Sequence, residues 1–321
     1  MEDDIRLTRR LKTNVGLHWS AFSTGNRFYH ELQPRISARY LITPQLSAKA
    51  SYSRIAQYVH MLPNSFNGLP RDFWVPTSEV LRPQTADQIA IGVAHNYREN
   101  YELSIEGYYK TMTDVLEYKD GASFLIMNET WEQSITQGTG ISYGMELLVQ
   151  KKTGVFTGWM GYMLSWTDRH FEDLNNGKPF PYRYDRRHDF SITGIMRFGK
   201  NKKHELSGAW VFSSGHHITL PVNIVHVAVP VTTLYHHTFT PQYVAYSERN
   251  AYRMAPYHRL DVSVAFVGQT KWGDHRLVLS VFNAYNRRNP YDITLEWAGK
   301  LRYVQYSLFP ILPSISYQFK F

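Results

Sequence analysis

Residues 181–199 read PYRYDRRHDFSITGIMRFG, and the two halves of this stretch point in different directions. The first carries Asp185, Arg186, Arg187, His188 and Asp189 in consecutive positions, a density of charge that suits a catalytic or ion-binding site. The second alternates. Phe190, Ile192, Gly194, Met196 and Phe198 fall on one face of an extended chain, with Asp189, Ser191, Thr193, Ile195 and Arg197 on the other, because successive side chains of a strand point to opposite sides. Period two predicts a strand that begins directly beneath the charged run.

The same sorting extends along the chain. Phe156, Gly158, Met160, Tyr162, Leu164 and Trp166 share a face. Leu260, Val262, Val264 and Phe266 stand against Asp261, Ser263 and Ala265, and Ile311, Pro313, Ile315, Tyr317, Phe319 and Phe321 oppose Leu312, Ser314, Ser316, Gln318 and Lys320. Leu103, Ile105, Gly107 and Tyr109 against Ser104, Glu106 and Lys110 obey the rule, as do Tyr143, Met145, Leu147 and Val149 against Gly144, Glu146 and Gln150. A soluble sandwich alternates too, so two further features decide. The segments run to about ten residues or more, where globular strands average about five or six and about nine to eleven tilted residues cross a bilayer. Charge also keeps to one side: Glu106, Glu146, Arg197, Asp261 and Lys320 lie on the polar face, while Trp166, Phe198 and Phe321 close the ends of the apolar one. An apolar band edged by aromatic rings is what a lipid-facing barrel wall needs, and a Lys or Arg at its midline would cost about 2–4 kcal/mol.

Composition agrees. The chain has 321 residues, of which 43% are hydrophobic and 15% aromatic, too apolar for a disordered protein. No window approaches the 18 or so apolar residues of a membrane helix. The net charge of +8 is scattered through short polar connections, so no nucleic-acid partner is expected. With no cysteine there are no thiolate metal sites, disulfides or cysteine nucleophiles, which suits an oxidising compartment. The opening MEDDIRLTRR has no basic segment followed by an apolar one and does not read as a signal peptide.

Outer-membrane barrels have short periplasmic turns and long outer loops. Short connections fall near 43–45, 98–100, 151–154, 199–203 and 269–274, and long ones near 21–31, 61–81, 119–137, 169–183 and 218–252. Their alternation gives about twelve complete strands, with DDIRL as the stump of one more. On this map residues 185–189 sit where a long outer loop descends into a strand, and the charged run reads as a polar rim rather than a catalytic centre. No serine stands in a nucleophile elbow and no HExxH spacing occurs, so no catalytic residue, resident metal or cofactor is expected. The loop at 218–252 and its borders gather His216, His217, His226, His236 and His237, imidazoles that suit a metal chelate as ligand. Phe66, Phe73, Trp74 and Trp131 are loop aromatics able to stack on a ligand ring or to anchor at headgroup level.

Four stretches resemble the C-terminal half of the barrel of TonB-dependent outer-membrane receptors: residues 140–192 (GISYGMELLVQ to RRHDFSI), RMAPYHRLDVSV at 253–264, LSVFNAYNRRNPY at 279–291, and the closing SYQFKF. They come in the family's order and span nearly the whole chain. The resemblance implies an all-β fold, about 12 strands of a 22-stranded antiparallel transmembrane barrel, with residues 1–321 a partial barrel domain and the plug domain that fills such a lumen absent. It implies the cell outer membrane as location and energised uptake of a scarce nutrient (iron chelate, cobalamin, glycan or peptide) as function. FNAYNRRNPY and PYHRLD would be wall strands. Tyr317, Phe319 and Phe321 would be the signal read by the barrel-assembly machinery, and Glu106, Glu146, Asp189, Arg197 and Asp261 would face the lumen or plug. Its partners would be outer-membrane lipid, a missing N-terminal barrel half and plug, and through the plug the TonB complex. Lacking a signal peptide, a TonB box and a plug, the chain reads as a fragment. Two other classes stand beside this one: a self-contained barrel acting as a passive channel, and an outer-membrane hydrolase using His188 with Asp185 or Asp189.

Overall fold

Alternation makes the long strands, and glycine, asparagine or polar runs end them. The structure, a computed structural model, describes residues 1–63, 72–120, 122, 131–226, 242–297 and 300–321. β1 (Glu2–Arg6), β2 (Leu11–Thr24), β3 (Arg27–Leu41) and β4 (Leu46–Gln57) form an unbroken meander. The next connection holds its own hairpin, β5 (Val59–Leu62) with β6 (Phe73–Pro76), before the wall resumes at β7 (Gln84–Tyr97), β8 (Tyr101–Tyr118), β9 (Ile135–Lys151) and β10 (Phe156–His170). The two-residue β11 (Phe180–Pro181) pairs back on β10 and leads to β12 (His188–Phe198) and β13 (His204–Ser213). Four short strands, β14 (His217–Ile218), β15 (Pro221–His226), β16 (Gln242–Tyr246) and β17 (Tyr252–Arg253), occupy the following connection. β18 (Tyr257–Thr270) and β19 (Gly273–Phe282) return to the wall, and the hairpin of β20 (Pro290–Trp297) and β21 (Leu301–Ser307) precedes β22 (Leu312–Lys320).

One antiparallel sheet runs β1-β2-β3-β4-β7-β8-β9-β10-β12-β13-β18-β19-β22, with β11 attached to β10. Twelve strands of this path are nine residues or longer and β1 has five, which is the predicted set of twelve and a stump.

Register separates the two faces completely. Val93, Ile105, Leu147, Tyr162, Phe190, Phe212 and His258 are successive cross-strand partners. One residue away on each strand, Gly92, Glu106, Glu146, Met163, Asp189 and Ser213 form the matching row on the opposite face. The apolar face is open: Ile91 is 64% exposed and Trp19 59%. Its edges carry rings with cations laid over them. Near the short turns Lys151 Nζ stands 5.9 Å from the Tyr101 ring and 5.8 Å from that of Phe156; near the long connections Tyr109, Tyr143 and Trp166 stack in series. Aliphatic stems in the apolar layer and charged heads at its border are how lysine and aromatic residues settle at a membrane interface.

Three expectations change. Residues 21–31 are not a loop: pairing of β2 with β3 continues to Thr24 and Arg27, so only Gly25 and Asn26 turn the chain, Gly25 at φ +51°. The polar sequence there reflects strands that outrun the apolar band. FNAYNRRNPY is not a wall strand, since β19 stops at Phe282 and residues 283–289 form turns with Asn283 and Asn286 at φ 53° and 51°. A long connection that the sequence did not reveal, between Phe282 and Leu312, carries the β20–β21 hairpin.

Because Leu147 sits inside the apolar row, Leu147→Arg is expected to destabilise the bilayer-inserted chain by about 2–4 kcal/mol, whereas Glu146→Arg, one position along on the polar face, should cost far less. Urea unfolding in phospholipid vesicles measures both.

Candidate functional site

At the long-connection end the described residues bury two apolar clusters. Leu62, Val75, Leu81, Leu116, Tyr118 and Ile135 form one, with Trp131 against it, and Ala86, Met112, Val115, Phe171, Leu174 and Phe180 the other. Glu117 follows Val115 and Leu116, one from each cluster, and is fully buried. A β-bulge puts it there. Thr113 opposes Thr139 and Val115 opposes Gly138, which makes Asp114, at φ 56°, an extra residue; beyond it the strand's side chains exchange faces. By uninterrupted alternation Glu117 would share the apolar face with Ile105 and Tyr109. Instead its Oε1 accepts a hydrogen bond from Arg249 Nη2 at 3.0 Å, and Arg169 Nη1 stands 3.5 Å from Oε2. Arg249 donates further to the Tyr118 carbonyl at 2.8 Å and to Asp120 Oδ1 at 2.8 Å; Arg169 donates to the Leu116 carbonyl at 2.9 Å and lies over the Tyr182 ring. Two buried guanidiniums share this one carboxylate, and each also donates to a backbone carbonyl, so the buried charges are paired.

Asn250, also fully buried, extends the anchor. Its Nδ2 donates to the Pro181 carbonyl at 3.0 Å, its N–H to Thr219 Oγ1 at 3.1 Å, and its carbonyl accepts from His217 Nδ1 at 2.8 Å. Asp185 is the second carboxylate hub. Its Oδ1 accepts from the Thr167 N–H at 2.9 Å and its Oδ2 from Arg253 Nη2 at 2.7 Å, with His217 Nε2 at 3.5 Å and Arg187 Nη2 at 3.7 Å. Burial acts to raise the Asp185 carboxyl, but the His217, Arg253 and Thr167 contacts outweigh it and hold it below its ordinary value. His60, buried with Nε2 3.0 Å from Thr77 Oγ1, is pushed down by burial to about 4.

The charged run at 185–189 is thereby dispersed. Asp185 points into the loop base, Arg187 lies over the Trp166 ring, and His188 Nδ1 meets Tyr162 OH at 2.9 Å. Asp189, on the opposite face, accepts from Ser213 Oγ at 2.7 Å. His188 is paired with neither aspartate, so the dyad required by the hydrolase alternative does not form. Among the described residues no cluster of His, Asp and Glu is arranged to hold a metal ion.

With strands of this length, two-faced register and alternating short and long connections established, the family comparison is decisive: the model for the TonB dependent receptor-like β-barrel matches residues 1–286. The chain belongs to the TonB-dependent receptor β-barrel family. Solved structures share the fold. The ferric yersiniabactin uptake receptor of Yersinia pestis matches with a TM-score of 0.65 at 12% identity, over 98% of this chain and 44% of that one. The ferric-catecholate import receptor of E. coli K12 gives 0.62 at 14%, over 98% and 43%, and the ferripyoverdine receptor of the outer membrane of Pseudomonas aeruginosa gives 0.59 at 14%, over 98% and 37%. The chain thus spans about two-fifths of these receptors. A search of curated proteins finds no match. The barrel is an outer-membrane one.

Within this receptor barrel, Glu106, Glu146, Asp189, Arg197 and Asp261 all fall on the polar face. Three are engaged: Asp189 as above, Arg197 with Nε 3.5 Å from Glu205 Oε1, and Asp261, whose Oδ1 accepts from the Asn283 N–H and Oδ2 from Arg259 Nε, both at 2.9 Å. Of the loop candidates, Trp74 is 65% exposed, Phe73 and Trp131 are half-buried, His216 is half-buried and His217 is buried. The side chain of His226, and Phe66, His236 and His237, lie outside the described residues. Tyr317 and Phe319 stand exposed on the apolar face of β22, against His275, and Phe321 follows the strand. Sequence reasoning missed Glu117, Arg169, Arg249 and Asn250. The one available signal was Glu117 itself, a carboxylate on the wrong side of its strand's alternation.

Glu117→Gln removes the carboxylate that two buried guanidiniums share, although Arg249 keeps Asp120, and is expected to destabilise the outer anchor by about 3–5 kcal/mol, read as faster amide exchange over residues 247–253. Acid should act on the same end. His60 is neutral when folded and its unfolded value is near 6.5, so protection of the β5–β6 hairpin, corrected for intrinsic rates, should fall as pH drops from about 6.5 to 4. The Asp185 carboxyl is depressed, so its contribution holds above its unfolded value near 3.9 and is lost only below that.

Proposed function

We propose that residues 1–321 form part of the barrel domain of an outer-membrane receptor that takes up a scarce nutrient with energy delivered by a TonB complex through a plug domain, and that the nutrient is an iron chelate. The family membership carries this reading, and the three similar structures are each named for a ferric-chelate receptor. The geometry is compatible in a specific way. Loop roots are locked by the Glu117–Arg249–Arg169 and Asp185–Arg253 contacts while Trp74 projects from a hairpin above them, and rigid bases with exposed aromatic tips suit capture of a ring-bearing ligand. Trp74 and His216 are the described residues proposed to face ligand, and His226, His236 and His237 are proposed to do so from their place in the loop sequence alone; Trp131 and His217 belong to the support. Glu106 and Glu146 are proposed to face the plug or its water layer, and Tyr317, Phe319 and Phe321 to be read by the assembly machinery. No catalytic role is assigned.

The test is uptake of 55Fe as its citrate, hydroxamate and catecholate complexes by cells carrying the intact gene, with and without a protonophore. Accumulation of at least one complex that collapses with the protonophore is expected, together with a raised half-saturation concentration in Trp74→Ala. Accumulation that ignores the protonophore would instead mark a passive channel.

A further inference from the structure

The lipid-facing side of the wall carries a feature at its outer border that neither strand pairing nor loop support explains. Trp210, Phe212 and His258 lie on the apolar face of β13 and β18, and Tyr285, from the turn after β19, reaches over to them. Its hydroxyl accepts from Trp210 Nε1 at 3.3 Å, so its own proton faces His258 Nδ1 at 2.7 Å and His258 carries its proton on Nε2. Arg287 and Arg288 follow in the same turn. Arg287 is held by neutral acceptors alone, the Pro256 carbonyl at 3.0 Å and Asn289 Oδ1 at 3.2 Å, and the exposed Arg288 side chain has no partner among the described residues. Arg169, Arg187, Arg249 and Arg253, at the same end of the wall, each meet a carboxylate.

His258, Tyr285, Arg287 and Arg288 line a cavity of about 430 Å³ that has no acidic residue in its lining among the described residues. Further along β18 on the same face, Leu206, Val262, Val264, Leu279 and Ile315 line an apolar groove of about 560 Å³. At about 3.3 Å per residue, the step from His258 to Val262 and Val264 is about 13–20 Å along the strand. Both hollows open on the face turned away from the lumen, so neither is a surface for a plug.

We infer that cavity and groove together form one binding site for a phosphorylated lipid of the outer leaflet. Arg287 and Arg288 take its phosphate, since planar guanidinium heads donate in pairs to phosphate oxygens, and His258 Nε2 is a further donor. An acyl chain lies in the groove below. Charge complementarity selects this occupant: a neutral lipid would fill the groove but leave two cations uncompensated at the border of the hydrocarbon, whereas a soluble anion would neutralise them without using the groove. The site requires the wall to stand in a membrane but not that uptake be energised, so it stands or falls apart from transport.

The experiment uses the receptor purified from outer membranes of cells carrying the intact gene, held in a neutral detergent, with folding checked by heat-modifiable gel mobility. Native mass spectrometry follows its titration with bis-phosphorylated lipid A, with the same lipid after phosphatase treatment, and with inorganic pyrophosphate. Lipid A is expected to be retained saturably and at least tenfold more tightly than its dephosphorylated form. The Arg287→Gln, Arg288→Gln double variant should lose that preference while binding the dephosphorylated lipid as the wild type does. Arg288→Gln alone, at a side chain without contacts, should lose part of it with the fold intact, and Lys271→Gln, in a short turn, should lose none. Val264→Trp, which fills the groove, should weaken both lipids. Equal affinity for the two lipids, an undiminished preference in the double variant, or pyrophosphate that displaces lipid A would overturn the assignment, the last by marking a site for soluble anions.

Discussion

Cross-strand register is the constraint on which everything else in this wall depends. Neighbouring positions on each strand belong to different solvents, so a slip of one residue would carry Glu106 and Glu146 into the row of Ile105 and Leu147 and bring those leucines and isoleucines into water. Both faces therefore hold the same register, one by excluding charge and the other by excluding hydrocarbon. That explains how strands with little apolar surface of their own to bury still pair over 9 to 18 residues. It also explains where burial does occur, at the long-connection end, where strands leave the apolar layer and must pack against their own loops.

The transition between those regimes is made by one extra residue. The bulge at Asp114 turns the last residues of β8 over, so that Glu117 enters protein rather than lipid and becomes the counter-charge for Arg169 and Arg249. Residues more than 130 positions apart in sequence are tied at one carboxylate. Asp185 does the same for Thr167, His217 and Arg253. A loop rooted in this way keeps its tip free to vary while its base cannot drift.

Perpendicular to the strands, the polar face changes sign. The row that starts with Arg6, Lys12, Arg39 and Lys49 passes through Gly92 and continues as Glu106, Glu146, Met163 and Asp189. Lys49 lies near the start of its strand, close to a short turn, and Asp189 near the end of its strand that meets a long connection. The row therefore climbs across the wall, as tilt and shear require of barrel strands. Its basic end lies toward the short turns and its acidic end toward the loops.

Strand count, the two faces and the aromatic edges were legible in the sequence because each is a local, period-two property that survives in any register the membrane permits. Connections were legible only where composition and pairing agree. Gly25–Asn26 was hidden in a polar stretch that still pairs, and FNAYNRRNPY looked like wall although Asn283, held by Asp261, Arg287 and Phe309, bends it into turns. The charged run at 185–189 was read as a rim, and its partners at 213, 217 and 253 were invisible. Sequence by itself determined that this chain is a lipid-facing β-wall with one charged face. Only the tertiary structure decided which charges meet, because a bulge reverses parity without a sequence signature and ion pairs join residues that only folding brings to one end of the sheet.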